Sequence, residues 1–404
     1  MNTTNVHVRT GILALLSGLM FAVGPTTVDL SLPSMPSIQH DIGTGHMRVE
    51  LTLTLLLLGL TVTQFIFGAI ADRYGRRRTI LIALVIYSLA ALGASFAGNL
   101  LMFSLARLGQ ALGFGVAVVL IRSAVVDISD ERRTAGIFST AVTIVSLATV
   151  VAPSVGGQIL SHFGWRAVFL AMSAVGALVF VAVAFLLPET LPLERRTVVK
   201  FSKVFSTYGR LLSNRRFAAF AAIGACAATF QFTYNTGGPT VVIEHYHVTA
   251  GTAGFLFSLI AVSTAVASQL NAVLVKWLDP DRILGLAVLL SVVASAALLG
   301  SVFTDVGGVA GLVVSLFILI STVGFIMGNS MAGAISSAGD QAGAASALVG
   351  VLQFLFGTVG SGIVGLIPDT AGRTMGVVVG LLSLVAVVMM MRIRPANTQV
   401  VVAG

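Results

Sequence analysis

Among 404 residues there are one cysteine and six histidines, so chemistry must rest on the few charges set in apolar surroundings. Asp29 sits within one long apolar run, and Arg107 and Arg122 sit within another. A buried carboxylate changes the local charge by one when it takes a proton. An arginine inside a bilayer costs roughly 2.5–3.5 kcal/mol on insertion scales, so it is expected to face a partner or a watery cavity. Asp29 held against Arg107 at similar depth is the least machinery that proton coupling needs. The plainer alternative is that Asp29 caps the turn before Pro33 and Arg107 bonds backbone carbonyls. Glu50 and Glu244, at the edges of apolar runs, are the other carboxylates placed to carry a proton. Arg122 follows Arg107 by 15 residues, about 22 Å along a helix and about 60° around it, so both can line one cavity. Such a cavity is positive, which favours neutral or weakly acidic molecules over quaternary ammonium compounds.

The second half of the chain offers neutral groups. Gln231, Tyr234, Asn235, Asn329 and Gln353 are set among Phe230, Phe232, Phe325, Phe354 and Phe356. Together they make a wall suited to amphipathic, weakly polar molecules better than to sugars or phosphorylated compounds. The alternative for each polar residue is an interhelical hydrogen bond. Cys226 has no partner for a disulfide, and the histidines, His7 and His46 among them, show no ligand spacing. No metal, cofactor, nucleotide or catalytic constellation is expected, so the chain does not read as an enzyme.

The elements that must position these residues follow from composition. Hydrophobic residues make up 56% of the chain, charged residues 9%, and the mean hydropathy is +1.00, which describes an all-α, polytopic membrane protein. Twelve spans fit, over about 11–32, 49–71, 79–97, 100–126, 134–161, 165–187, 217–243, 250–275, 283–303, 307–331, 341–367 and 374–391. The first lacks a small-residue cleavage site and is expected to be retained. With the N-terminus cytoplasmic, 18 lysines and arginines fall on that face and three, Arg48, Arg166 and Arg373, on the other. By the positive-inside rule both termini are cytoplasmic, and the net charge of +8 reports orientation instead of nucleic-acid binding. The longest polar stretch, 188–216, divides a six-span half, 1–187, from another, 217–404, and reads as a linker lying on the anionic membrane face. A degenerate repeat supports the division: N-A-V-L-V-K-W-L-D-P-D-R-I-L from 271 echoes G-A-I-A-D-R-Y-G-R-R-R-T-I-L from 68. Internal repeats of this kind place a substrate site between halves near the midplane.

That loop from 68 resembles the G-x-x-x-D-R-x-G-R-R element between helices 2 and 3 of the major facilitator superfamily. R-L-G-Q-A-L-G at 107–113 is similar to the superfamily's R-x-x-Q-G-x-G, with Ala111 in place of a glycine, and A-P-S-V-G-G at 152–157 is similar to the exporters' G-P-x-x-G-G. V-D-L-S-L-P-S-M-P at 28–36, G-W-R-A-V-F at 164–169, P-E-T-L-P at 188–192 and A-G-A-A-S-A-L-V-G at 342–350 resemble the bicyclomycin and chloramphenicol resistance (Bcr/CflA) exporters. Val126 and Asp127 stand where that group carries an Arg-Asp pair. The resemblance implies a twelve-helix fold of two pseudo-symmetric halves and proton-coupled antiport of small drugs of phenicol, bicyclomycin or sulfonamide type. It implies a monomer in a bacterial inner membrane, whose partners are drug, protons and the lipid bilayer. Gating falls to Gly68, Asp72, Arg73, Gly75, Arg76, Asp127, Pro153, Gly156 and Gly157. Asp72 is expected to meet the start of span 11, near 341–345, when the cavity opens outward. A carrier of an endogenous metabolite such as an amino acid is the alternative; a membrane sensor or enzyme is a weaker one.

Overall fold

A chain this apolar has nowhere to satisfy its backbone in lipid except within helices, and every element among the described residues is helical. The computed structural model describes residues 10–43, 48–191, 201–367, 369 and 371–393, without the side chains of 65–74, 131, 132, 135 and 201–203. In order the helices are α1 (Thr10–Val28), α2 (Met35–Ile42), α3 (Glu50–Tyr74), α4 (Arg76–Ser95), α5 (Leu100–Ile128), α6 (Glu131–Phe163) and α7 (Trp165–Leu186). After them come α8 (Phe201–Ser213), α9 (Arg215–Thr240), α10 (Ala250–Leu274), α11 (Pro280–Thr304), α12 (Gly308–Ser336), α13 (Ala342–Leu366) and α14 (Arg373–Met391). Eleven helical runs are long and apolar enough to cross a bilayer, and α3 adds the apolar stretch Glu50–Gln64.

Two runs depart from a plain helix. The first continues from Thr10 to Ile42, well past the expected end near residue 32. It is broken by a 3-10 segment at Asp29–Ser34, because Pro33 and Pro36 each remove an N–H that an α-helix would bond four residues back. Asp29 therefore lies deep in the run, roughly 20 Å short of its far end at 1.5 Å per residue. In the second half, α9 continues into a π-helical turn at Val241–His245. Within the expected linker, the 13-residue α8 forms an amphipathic helix, with Leu211 buried and Phe205 exposed.

The apolar cores gather on either side of one seam. α9–α14 share a single core, which Leu32 joins from the first run. Hydrogen bonds across the seam, among the described residues, link α3 to α13 (Thr54 and Ser361 hydroxyls, 3.0 Å), α6 to α10 (Ser154 to Ser258, 2.6 Å) and α3 to α9 (Thr240 to Glu50, 3.0 Å). Thr54, Glu50 and Thr240 all belong to one end of the bundle, so the halves are shut there.

Candidate functional site

The break after α1 is held by a network. Ser31 Oγ donates to the carbonyl of Val28 at 2.8 Å, and Thr27 Oγ1 to that of Val23 at 2.6 Å while meeting Tyr87 Oη at 2.9 Å. From α5, the Arg107 guanidinium donates to the Thr27 carbonyl at 3.0 Å and to Ser31 Oγ at 2.8 Å, on the two sides of Asp29. It also reaches Gln110 Oε1 at 3.3 Å and lies 5.7 and 5.2 Å from the ring centroids of Phe103 and Phe169. Fully buried within the first half, Arg107 faces no cavity and makes no ion pair with Asp29. The expected Asp29–Arg107 pair is thus corrected: the guanidinium fork is spent on the broken turn that carries the acid, the carbonyl-bonding alternative. Arg122, exposed on α5, holds its guanidinium 5.4 Å from the Phe21 ring centroid. The two arginines do not share a cavity.

Asp29 is 8% exposed and turns toward the seam. There a cavity of about 40 Å³ joins it to Pro153 of α6 and to Gln231, Tyr234 and Asn235 of α9, with Leu32, Phe257, Ala261 and two threonines completing the wall. Gln231 Nε2 donates to Asn235 Oδ1 at 3.0 Å. The Tyr234 ring stacks edge-on against Phe257 at 6.1 Å, and its hydroxyl is buried without a hydrogen-bond partner among the described residues. The space is that of one or two water molecules, whereas drug-sized ligands occupy about 300–1,000 Å³. In this conformation the cavity therefore admits a small polar group at most.

Other second-half candidates sit elsewhere. Asn329 Nδ2 donates to Asn271 Oδ1 at 2.7 Å, tying α12 to α10, and Gln353 Nε2 points at Met327 Sδ, 3.6 Å away. Phe230 is buried in the core of the second half. Asn329 and Gln353 thus make contacts between helices, the alternative left open for the polar residues. Phe354 stacks tilted on Phe232 at 5.9 Å and packs against a cluster from α3 that includes Leu56 and Leu57, so it belongs to the seam.

Glycines bring the backbones at the seam into contact. A Cβ on Gly156 would run into the Leu30 carbonyl oxygen, and one on Gly157 would lie 2.7 Å from that of Ala250. The A-P-S-V-G-G segment thereby presses α6 against both the broken helix and α10. Ala111 is accommodated by Gly59, where an added Cβ would come within 2.6 Å of the alanine methyl. Glu50 and Glu244 lie at the shut end. Glu50 takes the Thr240 hydroxyl on Oε1 and stands 3.6 Å from Arg48 Nε, and Glu244 is near enough to feel both charges.

The charged loop is partly described. Gly75 has φ +94°, which a residue with a Cβ rarely adopts. Arg76 Nε pairs with Asp127 at 3.2 Å and its backbone N–H donates to Glu189 at 2.9 Å, joining the loop to α5 and to P-E-T-L-P. Asp127 thus has an arginine despite the valine before it. The side chains of Gly68, Asp72 and Arg73, and so the expected contact with 341–345, lie outside the described residues. Sequence reasoning missed the clamp at Asp41, which accepts from Trp165 Nε1 at 3.0 Å and Arg166 at 2.6 Å. G-W-R-A-V-F held the signal, but only the fold reveals its acceptor.

A family model described as Major Facilitator Superfamily matches residues 11–361. The chain is 32% identical to the uncharacterized MFS-type transporter YdgK of Bacillus subtilis strain 168, over 89% of this chain and 90% of that one. It is 27% identical to a bicyclomycin resistance protein homolog of Haemophilus influenzae, with 91% and 92% covered. Against multidrug resistance protein MdtL of Vibrio parahaemolyticus it is 27% identical, with 81% and 82% covered. The fold resembles that of a D-xylose-proton symporter (TM-score 0.77, 15% identity, 96% and 97% covered). It also resembles the partially occluded inward-open xylose transporter XylE of E. coli (TM-score 0.74, 14% identity, 96% and 98% covered).

Proposed function

Because the chain belongs to the Major Facilitator Superfamily, we propose that this multi-pass membrane transporter exports small amphipathic drugs in exchange for protons. The observation that carries the proposal is the cavity where Asp29 of the first half meets Gln231, Tyr234 and Asn235 of the second. A carboxylate without a cationic partner, set between two bodies that move apart, can exchange a proton with whichever side the cavity opens to. The amide pair and the phenol offer hydrogen bonds to a polar but uncharged ligand. Relatives named for bicyclomycin and multidrug resistance support drugs over an endogenous metabolite.

Residues 1–187 and 217–404 act as the two rocking bodies. The stretch 188–216 is their cytoplasmic linker, and the protein works as a monomer in a bacterial inner membrane. With both termini in the cytoplasm, as the basic residues require, the shut end is the outer one and this conformation faces inward. Glu50, Thr240 and the glycines of α6 and α10 hold that end closed. Asp72, Arg73, Gly75, Arg76 and Asp127 serve the opposite gate. Arg107 positions the turn that presents Asp29 and takes no part in binding. Asp29 and Arg122 are then the charges left to face the drug path, and they sum to zero or one, which suits neutral compounds.

The test is inhibitory concentrations of phenicols, bicyclomycin and sulfonamides in a drug-hypersensitive host with and without the protein, alongside efflux driven by an imposed pH gradient in vesicles. Raised resistance with gradient-dependent efflux is expected. Unaltered resistance to every compound, with efflux indifferent to the gradient, would overturn the proposal.

A further inference from the structure

Three arginines gather where α8, α9 and α14 converge. Asn214 caps α9, accepting from the backbone N–H of Arg216 and of Phe217 at 3.0 and 3.3 Å. Beside this cap, Arg215, Arg216 and Arg392 line one groove of about 1080 Å³, whose other walls include Leu212, Ala218 and Met389. On the far side of α14 a second groove, about 710 Å³, has Asp279, Asp281 and Arg282 at the start of α11 and is otherwise apolar, running past Leu286, Leu289, Val387 and Met390. Met391 borders both.

The charges in the basic groove do not cancel. Arg216 spends one N–H on Asp281 at 3.1 Å, but Arg215 and Arg392 are exposed and make no ion pair among the described residues. The apolar groove faces outward: Leu286 is 65% and Leu289 57% exposed, positions that in this fold look onto lipid. The neighbouring α8 has the amphipathic pattern of a helix lying in the membrane interface, which sets the arginines at headgroup level. A pair of unneutralised arginines at that level, continuous with a lipid-facing apolar groove, matches a molecule with an anionic head and long acyl chains.

We propose that this double groove binds an anionic phospholipid of the surrounding bilayer, its phosphate held by Arg215 and Arg392 and its acyl chains lying between α11 and α14. The site is on the outside of the second half, away from the seam, and does not depend on what the protein transports.

The experiment incubates full-length protein in mixed micelles with equal amounts of dioleoyl-phosphatidylglycerol and dioleoyl-phosphatidylcholine and measures retained lipid by native mass spectrometry. Phosphatidylglycerol should be retained in preference, and less so as salt rises. The double variant Arg215→Gln with Arg392→Gln should lower its affinity roughly thirtyfold, at about fivefold per arginine. Arg133→Gln, which removes an exposed arginine already paired with Asp130 at the same end of the helices, should leave retention unchanged. Inorganic phosphate should not displace the lipid. Equal retention of the two lipids, unchanged retention in the double variant, or displacement by inorganic phosphate alone would each overturn the assignment.

Discussion

The opening helices of the two halves, α1 and α9, approach the same cavity with opposite chemistry. α1 is broken at Asp29–Ser34 and brings a carboxylate, with a buried arginine bonded behind the break. α9 runs unbroken through the cavity level and brings an amide pair and a phenol, loosening only farther on, at Val241–His245. The proline-punctuated turn frees a backbone carbonyl and a hydroxyl that the Arg107 guanidinium takes up, which fixes where the carboxylate is presented. Neutral polar groups need no such support, so a regular helix suffices. The comparison suggests that the first half carries the coupling and the second the choice of ligand.

The sharpest way to break this contrast is Asp29→Asn. Gradient-driven efflux in vesicles should fall to background while drug binding, followed by ligand-induced thermal stabilisation, persists. Undiminished efflux would move the coupling role to Glu50 or Glu244 and dissolve the division of labour. Next in size is Arg107→Ala, which leaves the Thr27 carbonyl and Ser31 without their charged donor. A loss of about 3 kcal/mol is expected, each such bond contributing about 1.5–3 kcal/mol. Arg107→Lys should restore charge but not the fork. Thermal unfolding of both variants checks this, and unaltered melting in Arg107→Ala would mean that the turn holds itself.

A smaller effect is expected at the seam. Gly157→Ala forces a methyl toward the Ala250 carbonyl, which should cost the shut state about 1–3 kcal/mol. Cross-linking between cysteines placed at Thr54 and Ser361, whose hydroxyls are 3.0 Å apart, should then drop relative to the same pair in a Gly157 background. The least effect on stability is expected from Tyr234→Phe, because its hydroxyl has no partner among the described residues. Melting should not fall, because a buried hydroxyl without a hydrogen bond is desolvated without return, while the pattern of drug resistance shifts. A resistance profile identical to the parent's would remove Tyr234 from ligand choice.

Much of this molecule can be read from its residues in order. Apolar runs of bilayer length, the Gly75 turn and the prolines at 33 and 36 act through local rules, because a backbone in lipid must bond within its own helix. The amphipathic α8 was harder to see: thirteen residues with basic side chains look like linker until Leu211 is found packed. Side-chain partners were less legible still. Depth along a span put Arg107 beside Asp29, but rotation about the helix sent its guanidinium to the Thr27 carbonyl and the Ser31 hydroxyl of the same turn.

What the sequence by itself determined was therefore the all-helical membrane architecture, its family and the presence of a lone acid in the first span. Only the tertiary structure decided which neutral residues join that acid. Gln231, Tyr234 and Asn235 reach it, while Asn329 meets Asn271 and Gln353 meets Met327. The physical reason is that helix formation is satisfied within a segment, whereas a hydrogen bond between helices depends on crossing position and rotation. Those are set by glycines such as Gly156, Gly157 and Gly59, far from the groups they bring together.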